Sequence, residues 1–237
     1  MEIRIENLQK CFGHVKAIDL ASCTIRDGEL IGLVGNNGAG KTTLIRLMTD
    51  LLKADAGQVL LNGVSAAGSE AWKRVTGVYV DDGFLIDYLT PDEYFEFVGK
   101  AHGLSAEAVH ERLVPYESLM NGEITGQPKL LRHLSQGNRQ KAGILAAMLI
   151  HPDLLILDEP FNFLDPRSQA QICHLIEAYN RETGATVLLS SHNLTHTVDI
   201  CKRILLLESG ILLRDIANPN GEAARELEAY FDAAVSS

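Results

Sequence analysis

A glycine-rich segment, Gly35–Thr42, constrains this chain more than any other feature of its sequence. Its residues, GNNGAGKT, fit the pattern G-x-x-x-x-G-K-S/T. An apolar run typical of a buried strand, Leu30–Val34, precedes it, and the helical pattern Thr43–Met48 follows it. A strand, this loop and a helix in that order form a phosphate-binding loop, so the segment favours an α/β fold with the loop at a strand end.

The residue types in this loop suit the binding of a nucleotide. Glycines let successive backbone N–H groups turn toward one point, and the helix that begins there adds the positive end of its dipole. Lys41 supplies a mobile charge for the β- and γ-phosphates, and Thr42 offers a hydroxyl to Mg²⁺. The candidate binding residues are Gly35, Asn36, Asn37, Gly38, Ala39, Gly40, Lys41, Thr42 and Thr43.

Composition disfavours several classes of protein. The 237 residues are 46% apolar, which is enough for one domain with a full core. The net charge of −10 argues against a nucleic-acid partner, because phosphate contacts need a basic surface. The sequence contains no apolar run of the ~18 residues that span a bilayer and no signal peptide, so a membrane role is expected only through a partner. Four cysteines without a C-x-x-C pair favour a reduced, cytosolic protein.

Hydrophobic patterns divide the chain into a β/α part and a helical part. Strands are predicted within residues 1–34, at Val59–Leu61 and at Val75–Val80, whereas residues 82–150 show helical spacing without a convincing strand. The alternation then returns, with strands at Leu154–Leu157, Thr186–Ser190 and Ile204–Leu207 and helices at Gln169–Tyr179 and Leu194–Cys201.

These patterns predict one α/β domain over residues 1–237. Its phosphate-loop NTPase core, about 1–81 and 151–215, has a mainly parallel sheet and an N-terminal antiparallel β portion. A helical subdomain is inserted at about 82–150, and a helical tail follows at about 216–237, with an amphipathic helix over Glu222–Phe231. A single phosphate-binding loop indicates a single nucleotide-binding unit.

Two acidic residues follow one of the predicted strands. Asp158 and Glu159 come directly after Leu154–Leu157. The carboxyl ends of parallel strands form the rim where such sheets bind ligands, so both carboxylates are expected beside the loop. There Asp158 can hold Mg²⁺, and Glu159 can polarise an attacking water as a general base. We therefore interpret Asp158 as a metal ligand and Glu159 as a catalytic residue.

A histidine follows another predicted strand. His192 comes after Thr186–Ser190 and is expected at the same rim, where its imidazole can donate a hydrogen bond to the γ-phosphate. Alone it would more often be structural, but its position beside the other motifs favours a catalytic role. The other histidines show no paired spacing and are interpreted as surface or packing residues.

A second candidate anion site lies in Leu134–Lys141, ahead of a helix predicted at Ala142–Ile150. Ser135 and Gly137 offer a hydroxyl and free backbone amides near a positive helix end. Such a segment alone is usually an ordinary N-cap. Because the other motifs are also present, we interpret this segment as a phosphate contact.

Together, these motifs resemble those of the ATP-binding cassette (ABC) ATPases, the nucleotide-binding subunits of ABC transporters. The resemblance covers about residues 2–215, and the motifs follow the family's order. Gly35–Thr42 resembles the Walker A loop, Leu134–Gln140 the signature loop, and Leu154–Glu159 the Walker B strand with its catalytic glutamate.

Further positions match singly. Asn162–Asp165 stands where the family has its D-loop, and His192 where it has the switch histidine. Phe12, before Gly13, is placed like the aromatic that stacks on adenine, although such a residue can also be a core aromatic. The resemblance implies an ATPase that binds ATP and Mg²⁺.

Two departures from the family pattern concern the site. Leu134–Asn138 is LSQGN where the family usually has LSGGQ, but Ser135 and Gly137, the phosphate-facing positions, are kept. Asp81 and Asp82 stand where the family usually has a glutamine that contacts Mg²⁺ and senses the γ-phosphate. Asp81 can still take the metal, while it adds negative charge near an anion.

The resemblance also implies partners. Two cassettes face head to tail, and the signature loop of one closes on ATP bound to the other; a copy of this chain is the expected second ABC subunit. An integral membrane permease is gripped by the helical subdomain and the Asp81 region, with Phe84, Leu85 and Tyr88 as candidate contacts. The chain is then cytoplasmic and peripheral on the inner face of the cell membrane, and its compact helical subdomain and short tail favour an exporter-type permease.

Other functions stay open at this point. A soluble, non-transport ABC ATPase switch is disfavoured by the single cassette, the lack of long coiled coils and the acidic balance. A small-molecule kinase would need an arginine-rich lid and an acceptor site, and the signature loop argues against it. A cassette that binds ATP but hydrolyses it feebly is suggested by Asp81 and Asn138. In this family the membrane subunit determines the transported substrate and the direction of transport, so neither can be read from this sequence.

Overall fold

The computed structural model describes residues 1–192, 194–219, 221, 223–224, 227 and 230. Its strands are β1 (Ile3–Phe12), β2 (Val15–Ile25), β3 (Leu30–Val34), β4 (Ala56–Leu61), β5 (Val64–Ser65), β6 (Thr76–Tyr79), β7 (Leu154–Leu157), β8 (Thr186–Ser191), β9 (Arg203–Glu208) and β10 (Ile211–Ala217). Its α-helices are α1 (Lys41–Met48), α2 (Pro91–Ala101), α3 (Ala106–Leu113), α4 (Glu117–Met120), α5 (Gln136–Leu149), α6 (Pro166–Thr183) and α7 (Leu194–Ile200). None of the helices in these ranges is long and apolar enough to cross a membrane.

A six-stranded sheet forms the centre of the molecule, in the order β10-β9-β3-β8-β7-β6. Every neighbouring pair from β9 to β6 is parallel, and β10 joins β9 in the antiparallel sense. All residues of β3, β7 and β8 are buried, since helices and the second sheet cover both faces. Continuous apolar runs such as that of β7 are therefore the expected sequence of these strands, and the predicted α/β class is confirmed.

A second, antiparallel sheet comes from the N-terminal part of the chain, in the order β2-β1-β4-β5. Ile3 of β1 pairs with Ile25 of β2 and with Leu61 of β4, and all three side chains are buried. Asn62 and Gly63 join β4 to β5 with φ of 48° and 78°, the two positive values that a tight hairpin needs. This confirms the predicted antiparallel portion.

Helices α2 to α5 lie between β6 and β7 in sequence, and the described residues of this stretch contain no strand. Thr90 begins α2 with a capping box, in which its side chain accepts from the amide of Glu93 and that carboxylate accepts from the Thr90 amide. Phe95 of α2 is fully buried in the core that also contains Ile144 and Leu145 of α5. The helical insertion thus shares a hydrophobic core with the sheet.

The structure corrects three details. Helix α5 begins at Gln136 and not at Ala142, because the Ser135 side chain accepts a hydrogen bond from the Asn138 amide and caps the helix there. Strand β10 was not predicted, since its residues are mostly exposed and only the first three, Ile211–Leu213, form an apolar run. Leu85, expected among exposed groove residues, is buried. The helix predicted over 222–231 falls largely outside the residues that the structure describes.

Gly77 in β6 allows the sheet to pack closely on α5. A Cβ atom there would lie 1.9 Å from the backbone oxygen of Ala147, which cannot move away without displacing the helix. We expect Gly77→Ala to destabilise the protein by about 1–3 kcal/mol in urea unfolding, the usual cost of overpacking. Gly68→Ala is the matched control, because the nearest atom to its Cβ, that of Ser65, is at 3.7 Å. Equal stability of the two variants would contradict this packing argument.

Candidate nucleotide site

Three neighbouring parallel strands end at the same edge of the central sheet. Strand β3 lies beside β8, and β8 lies beside β7. The loop Gly35–Thr42 follows β3, Asp158 and Glu159 follow β7, and His192 follows β8. Because parallel strands point their carboxyl ends the same way, these groups meet at one edge although they are far apart in sequence.

The glycines of the loop are required by its shape. Gly38 and Gly40 have φ of 83° and 107°, values that favour glycine. A Cβ atom on Gly35 would lie 2.2 Å from the backbone oxygen of Leu207, so the loop passes directly over β9. Helix α1 begins right after Gly40, so the loop leads directly into the positive end of a helix, as an anion site needs.

Lys41 is the cation of this loop. Its side chain is buried, and its ammonium donates hydrogen bonds to the backbone oxygens of Gly35 at 2.7 Å and Asn36 at 3.3 Å. It also lies 3.3 Å from Oε1 of Glu159. The ammonium group of Lys41 is thus held at the loop by two backbone oxygens and by the carboxylate of Glu159.

Asp158 is buried in the site, with 3% of its surface exposed. Burial raises the pKa of its carboxyl group, whereas hydrogen bonds with Ser190 and Thr42 and the nearby Lys41 lower it. The Ser190 hydroxyl donates to Oδ1 of Asp158. The Asp158 carboxylate and the Thr42 hydroxyl lie side by side. This pair suits Mg²⁺, which binds few protein oxygens and takes its other ligands from phosphates and water. Among the residues that the structure describes, no group of three or more His, Cys, Asp or Glu side chains is arranged to hold a metal ion by itself.

Glu159 bridges two cationic or polar partners. Besides Lys41, its carboxylate contacts Nδ1 of His192 at 2.8 Å and accepts from the His192 amide at 3.3 Å. Its backbone has φ of 49°, an uncommon value for a glutamate, and is held by hydrogen bonds from its amide to Ser190 Oγ and from Gln140 Nε2 to its carbonyl. The position of this carboxylate is therefore set from both sides.

A cavity of about 380 Å³ opens beside the loop. Its walls include residues 37–43, Glu159 and His192, together with Phe12 at the end of β1. The Phe12 ring is 52% exposed, and Lys10 Nζ lies 5.7 Å from its centroid. The volume lies within the range of small-molecule sites, and an exposed aromatic next to an anion loop suits a nucleotide base.

Ser135 and Gly137 do not lie in this cavity. Ser135 is exposed at the start of α5 and lines a separate cavity of about 330 Å³, which also contains Lys129 and Asn138. A Cβ atom on Gly137 would lie 2.7 Å from the backbone oxygen of Phe163, so the start of α5 packs against the segment that follows Glu159. Neither residue therefore lines the cavity beside the loop of the same chain.

Asp81 is close to the site but already has two partners. Its Oδ2 lies 3.1 Å from the Arg46 guanidinium, and its Oδ1 accepts from the Gly83 amide at 2.8 Å. It lines a cavity of about 240 Å³ together with Thr42, Asp158 and Glu159.

Three residues of the site were missed from the sequence: Ser190, Gln140 and Arg46. Ser190 had a signal, because it is a hydroxyl at the carboxyl end of an apolar strand, next to the predicted rim. Gln140 is the last residue of the segment that resembles the signature loop, but nothing in the sequence pointed to its contact with Glu159, and Arg46 lies within α1 and had no signal. Their partners, the Glu159 carbonyl and Asp81, are distant in sequence.

Comparisons with known proteins agree with this geometry. The family model described as ABC transporter matches residues 18–162, which include the loop, α5 and the end of β7. The chain is 30% identical over 214 residues to the probable sulfate/thiosulfate import ATP-binding protein CysA of Chlorella vulgaris, covering 90% of each chain. It is 29% identical over 225 residues to the SkfA peptide export ATP-binding protein SkfE of Bacillus subtilis, covering 94% of this chain and 92% of that protein.

The fold also matches solved structures. The ATP-binding subunit of an ABC transporter superposes with a TM-score of 0.82 and 26% identity, over 96% of this chain and 94% of the other.

Proposed function

This chain belongs to the ABC transporter family as an ATP-binding protein, and from that premise we propose that it hydrolyses ATP to drive a transporter. The observation that carries the proposal is the meeting of the loop cation, two carboxylates and a histidine at one sheet edge. Lys41, Asp158, Glu159 and His192 come from the ends of three different strands. The relatives' names include import and export proteins, so the proposal covers the ATPase role without a direction of transport.

The loop and its neighbours bind the nucleotide. The backbone amides of Gly35–Thr42 and the ammonium of Lys41 hold the phosphates, and the ring of Phe12 stacks on the adenine. Thr42 and Asp158 hold Mg²⁺, which when bound neutralises charge on the phosphates. Thr42 and Asp158 are hydrogen-bonded to each other, so the two ligands are positioned together.

Glu159 acts as the general base. Its carboxylate is in contact with Lys41 and His192. The γ-phosphate attracts both of these groups, which frees the carboxylate to accept a proton from water. Water attacks the γ-phosphorus as the bond to the β-phosphate oxygen breaks, giving ADP and phosphate. His192 donates a hydrogen bond to the γ-phosphate during this step.

A second copy of the chain completes each site. Ser135 and Gly137 do not line the cavity beside the loop, which supports assigning their anion contact to the nucleotide of another subunit. We propose that two copies face head to tail and that Ser135 of one copy caps the γ-phosphate held by the other. Closing on ATP and opening after hydrolysis is then the switch.

The surface near Asp81 contacts a membrane permease. A cavity of about 430 Å³ lies between the end of β6, α2 and α5, with Phe84 at its rim. Phe84 is 54% exposed and Tyr88 72% exposed, so both rings are available to a partner surface. Through this contact the chain sits peripherally at the inner face of the cell membrane.

Phe12 tests the nucleotide-binding part of the proposal. We expect Phe12→Ala to weaken ATP affinity about tenfold, since stacking of a base on an aromatic ring is worth about 1–3 kcal/mol. Phe12→Tyr keeps the ring and should retain affinity. Phe84→Ala is the matched control, an equally exposed phenylalanine outside the loop cavity. Titration with a fluorescent ATP analogue measures the effect, and equal affinities for Phe12→Ala and Phe84→Ala would remove Phe12 from the site.

Copurification tests the transport part. The tagged chain is recovered from detergent-solubilised native membranes, and its partners are identified by mass spectrometry. A stoichiometric multi-span membrane protein, lost with Phe84→Asp but kept with Val64→Asp at an equally exposed position on β5, supports the proposal. Recovery of soluble or ribosomal partners alone would favour a soluble ATPase switch.

A further inference from the structure

We propose that Arg46 is a positioning residue that neutralises Asp81 and keeps its carboxylate out of the metal's coordination. This inference rests on the proposed ATP-binding function. It assigns Asp81 a different role from the metal ligand predicted from the sequence.

The geometry occupies both oxygens of Asp81. Oδ2 accepts from the Arg46 guanidinium at 3.1 Å, and Oδ1 accepts from the Gly83 amide at 2.8 Å. Gly83 fits closely here, because a Cβ atom on it would lie 2.8 Å from Oδ1. A carboxylate with both oxygens bonded has to break one of these contacts before it can coordinate a metal.

Helix α1 aims Arg46 at this carboxylate. Arg46 lies one turn after Thr42, so the two side chains leave the helix on the same face. Thr42 reaches Asp158, and Arg46 reaches Asp81. Helix α1 thus places the Thr42 hydroxyl beside Asp158 and the Arg46 guanidinium beside Asp81.

The charge of Asp81 needs such a partner. Asp81 lines the same cavity as Asp158 and Glu159, and the nucleotide brings further negative charge to this edge. An unpaired third carboxylate repels the phosphates, whereas a paired one has nearly the net charge of a neutral side chain. Arg46 is therefore what makes an aspartate tolerable at this position.

Asp81 also lies between two cavities. It lines the cavity with Thr42 and Asp158 and the larger cavity with Phe84 and Leu85. The ion pair consequently ties the loop helix α1 to the segment that leads into the helical insertion.

A double-mutant cycle tests the inference through binding instead of turnover. Dissociation constants for ATP and ADP are measured with a fluorescent nucleotide, with Mg²⁺ and with EDTA. The proteins are the parent, Arg46→Met, Asp81→Asn and the double variant, with Arg46→Lys as the conservative change. Arg181→Met is the matched control, since it removes an exposed, ion-paired arginine from the end of α6, at the opposite edge of the sheet.

We expect Arg46→Met to weaken Mg²⁺-ATP binding about fivefold or more, and ADP binding less, because one uncompensated charge faces the γ-phosphate end. Asp81→Asn should stay within about twofold of the parent, and adding it to Arg46→Met should restore affinity to that level. Arg46→Lys should retain most of the affinity, and Arg181→Met all of it.

Three results would overturn the inference. If Asp81→Asn weakens Mg²⁺-dependent binding, Asp81 coordinates the metal. Parent-like affinity of Arg46→Met denies the neutralising role, and a loss that persists in the double variant shows that Arg46 contacts the nucleotide itself. If Arg46→Met does not fold, Asp81→Asn alone decides between the two roles. Failure of the parent to bind ATP would instead refute the proposed function.

Discussion

Glu159→Gln is expected to keep ATP binding and to slow hydrolysis by about 10²-fold or more, the usual contribution of a general base. The amide has the shape of the carboxylate but cannot take the proton of the attacking water. Because the Glu159 backbone is held by Ser190 and Gln140, the substitution should leave the position of residue 159 unchanged. Steady-state phosphate release and nucleotide titration on the same preparation separate the two effects.

The Glu159→Gln experiment has a matched control in Glu117→Gln, which makes the same change at an exposed position on α4. That variant should turn over ATP like the parent. Parent-like turnover of Glu159→Gln would exclude Glu159 as the base. Since ATP is bound but not consumed, Glu159→Gln should also accumulate as the ATP-closed dimer, which size-exclusion chromatography with light scattering detects.

Lys41→Ala is expected to abolish ATP binding, with a loss on the order of 10²-fold or more in affinity, because several charge-assisted contacts to the phosphates disappear together. The ammonium is buried and held at the loop by the carbonyl oxygens of Gly35 and Asn36. Without it, the carboxylate of Glu159 loses a cationic neighbour at 3.3 Å and adds repulsion toward the nucleotide. Isothermal titration calorimetry with Mg²⁺-ATP measures the change.

Lys53→Ala controls for the loss of one lysine charge, since Lys53 is exposed beyond the end of α1. Its affinity for ATP should match that of the parent, and circular dichroism should show both variants folded. Unchanged nucleotide affinity in folded Lys41→Ala would refute the assignment of Gly35–Thr42 as the phosphate-binding loop.

Much of the fold follows from local patterns. The four apolar residues of β7 were predicted with the bounds that the structure shows, and the run Thr186–Ser190 was predicted one residue short of β8. A fully buried parallel strand has apolar residues on both faces, so its run is continuous and its ends are clear. Strand β10 gave no such signal, because it lies at an edge and pairs with β9 alone.

Helix starts were harder to predict. The run Ala142–Ile150 locates the buried part of α5, but the first turns contain the polar residues of the signature segment and carry no apolar pattern. Only the Ser135 cap marks the true start. Leu85 was expected to be exposed with its aromatic neighbours Phe84 and Tyr88, yet it packs into the core while they do not.

Asp158, Glu159 and His192 were named from the sequence because each combines a chemical type with a strand end, whereas Ser135 and Gly137 were named because they precede a helix. The structure brings Lys41, Asp158, Glu159 and His192 together, and it leaves Ser135 and Gly137 in another place. Their roles stay predictions that the variants above test.

The order of residues alone dictated the phosphate loop, the buried strands and the chemical types at their ends, because each depends on neighbours a few positions apart. The tertiary structure decided which side chains contact each carboxylate of the site. Ser190 reaches Asp158 across 32 positions of sequence, and Arg46 reaches Asp81 across 35. Such pairs form only when separate strands and helices are packed side by side, so the pairing of Asp81 with Arg46 was decided by the fold.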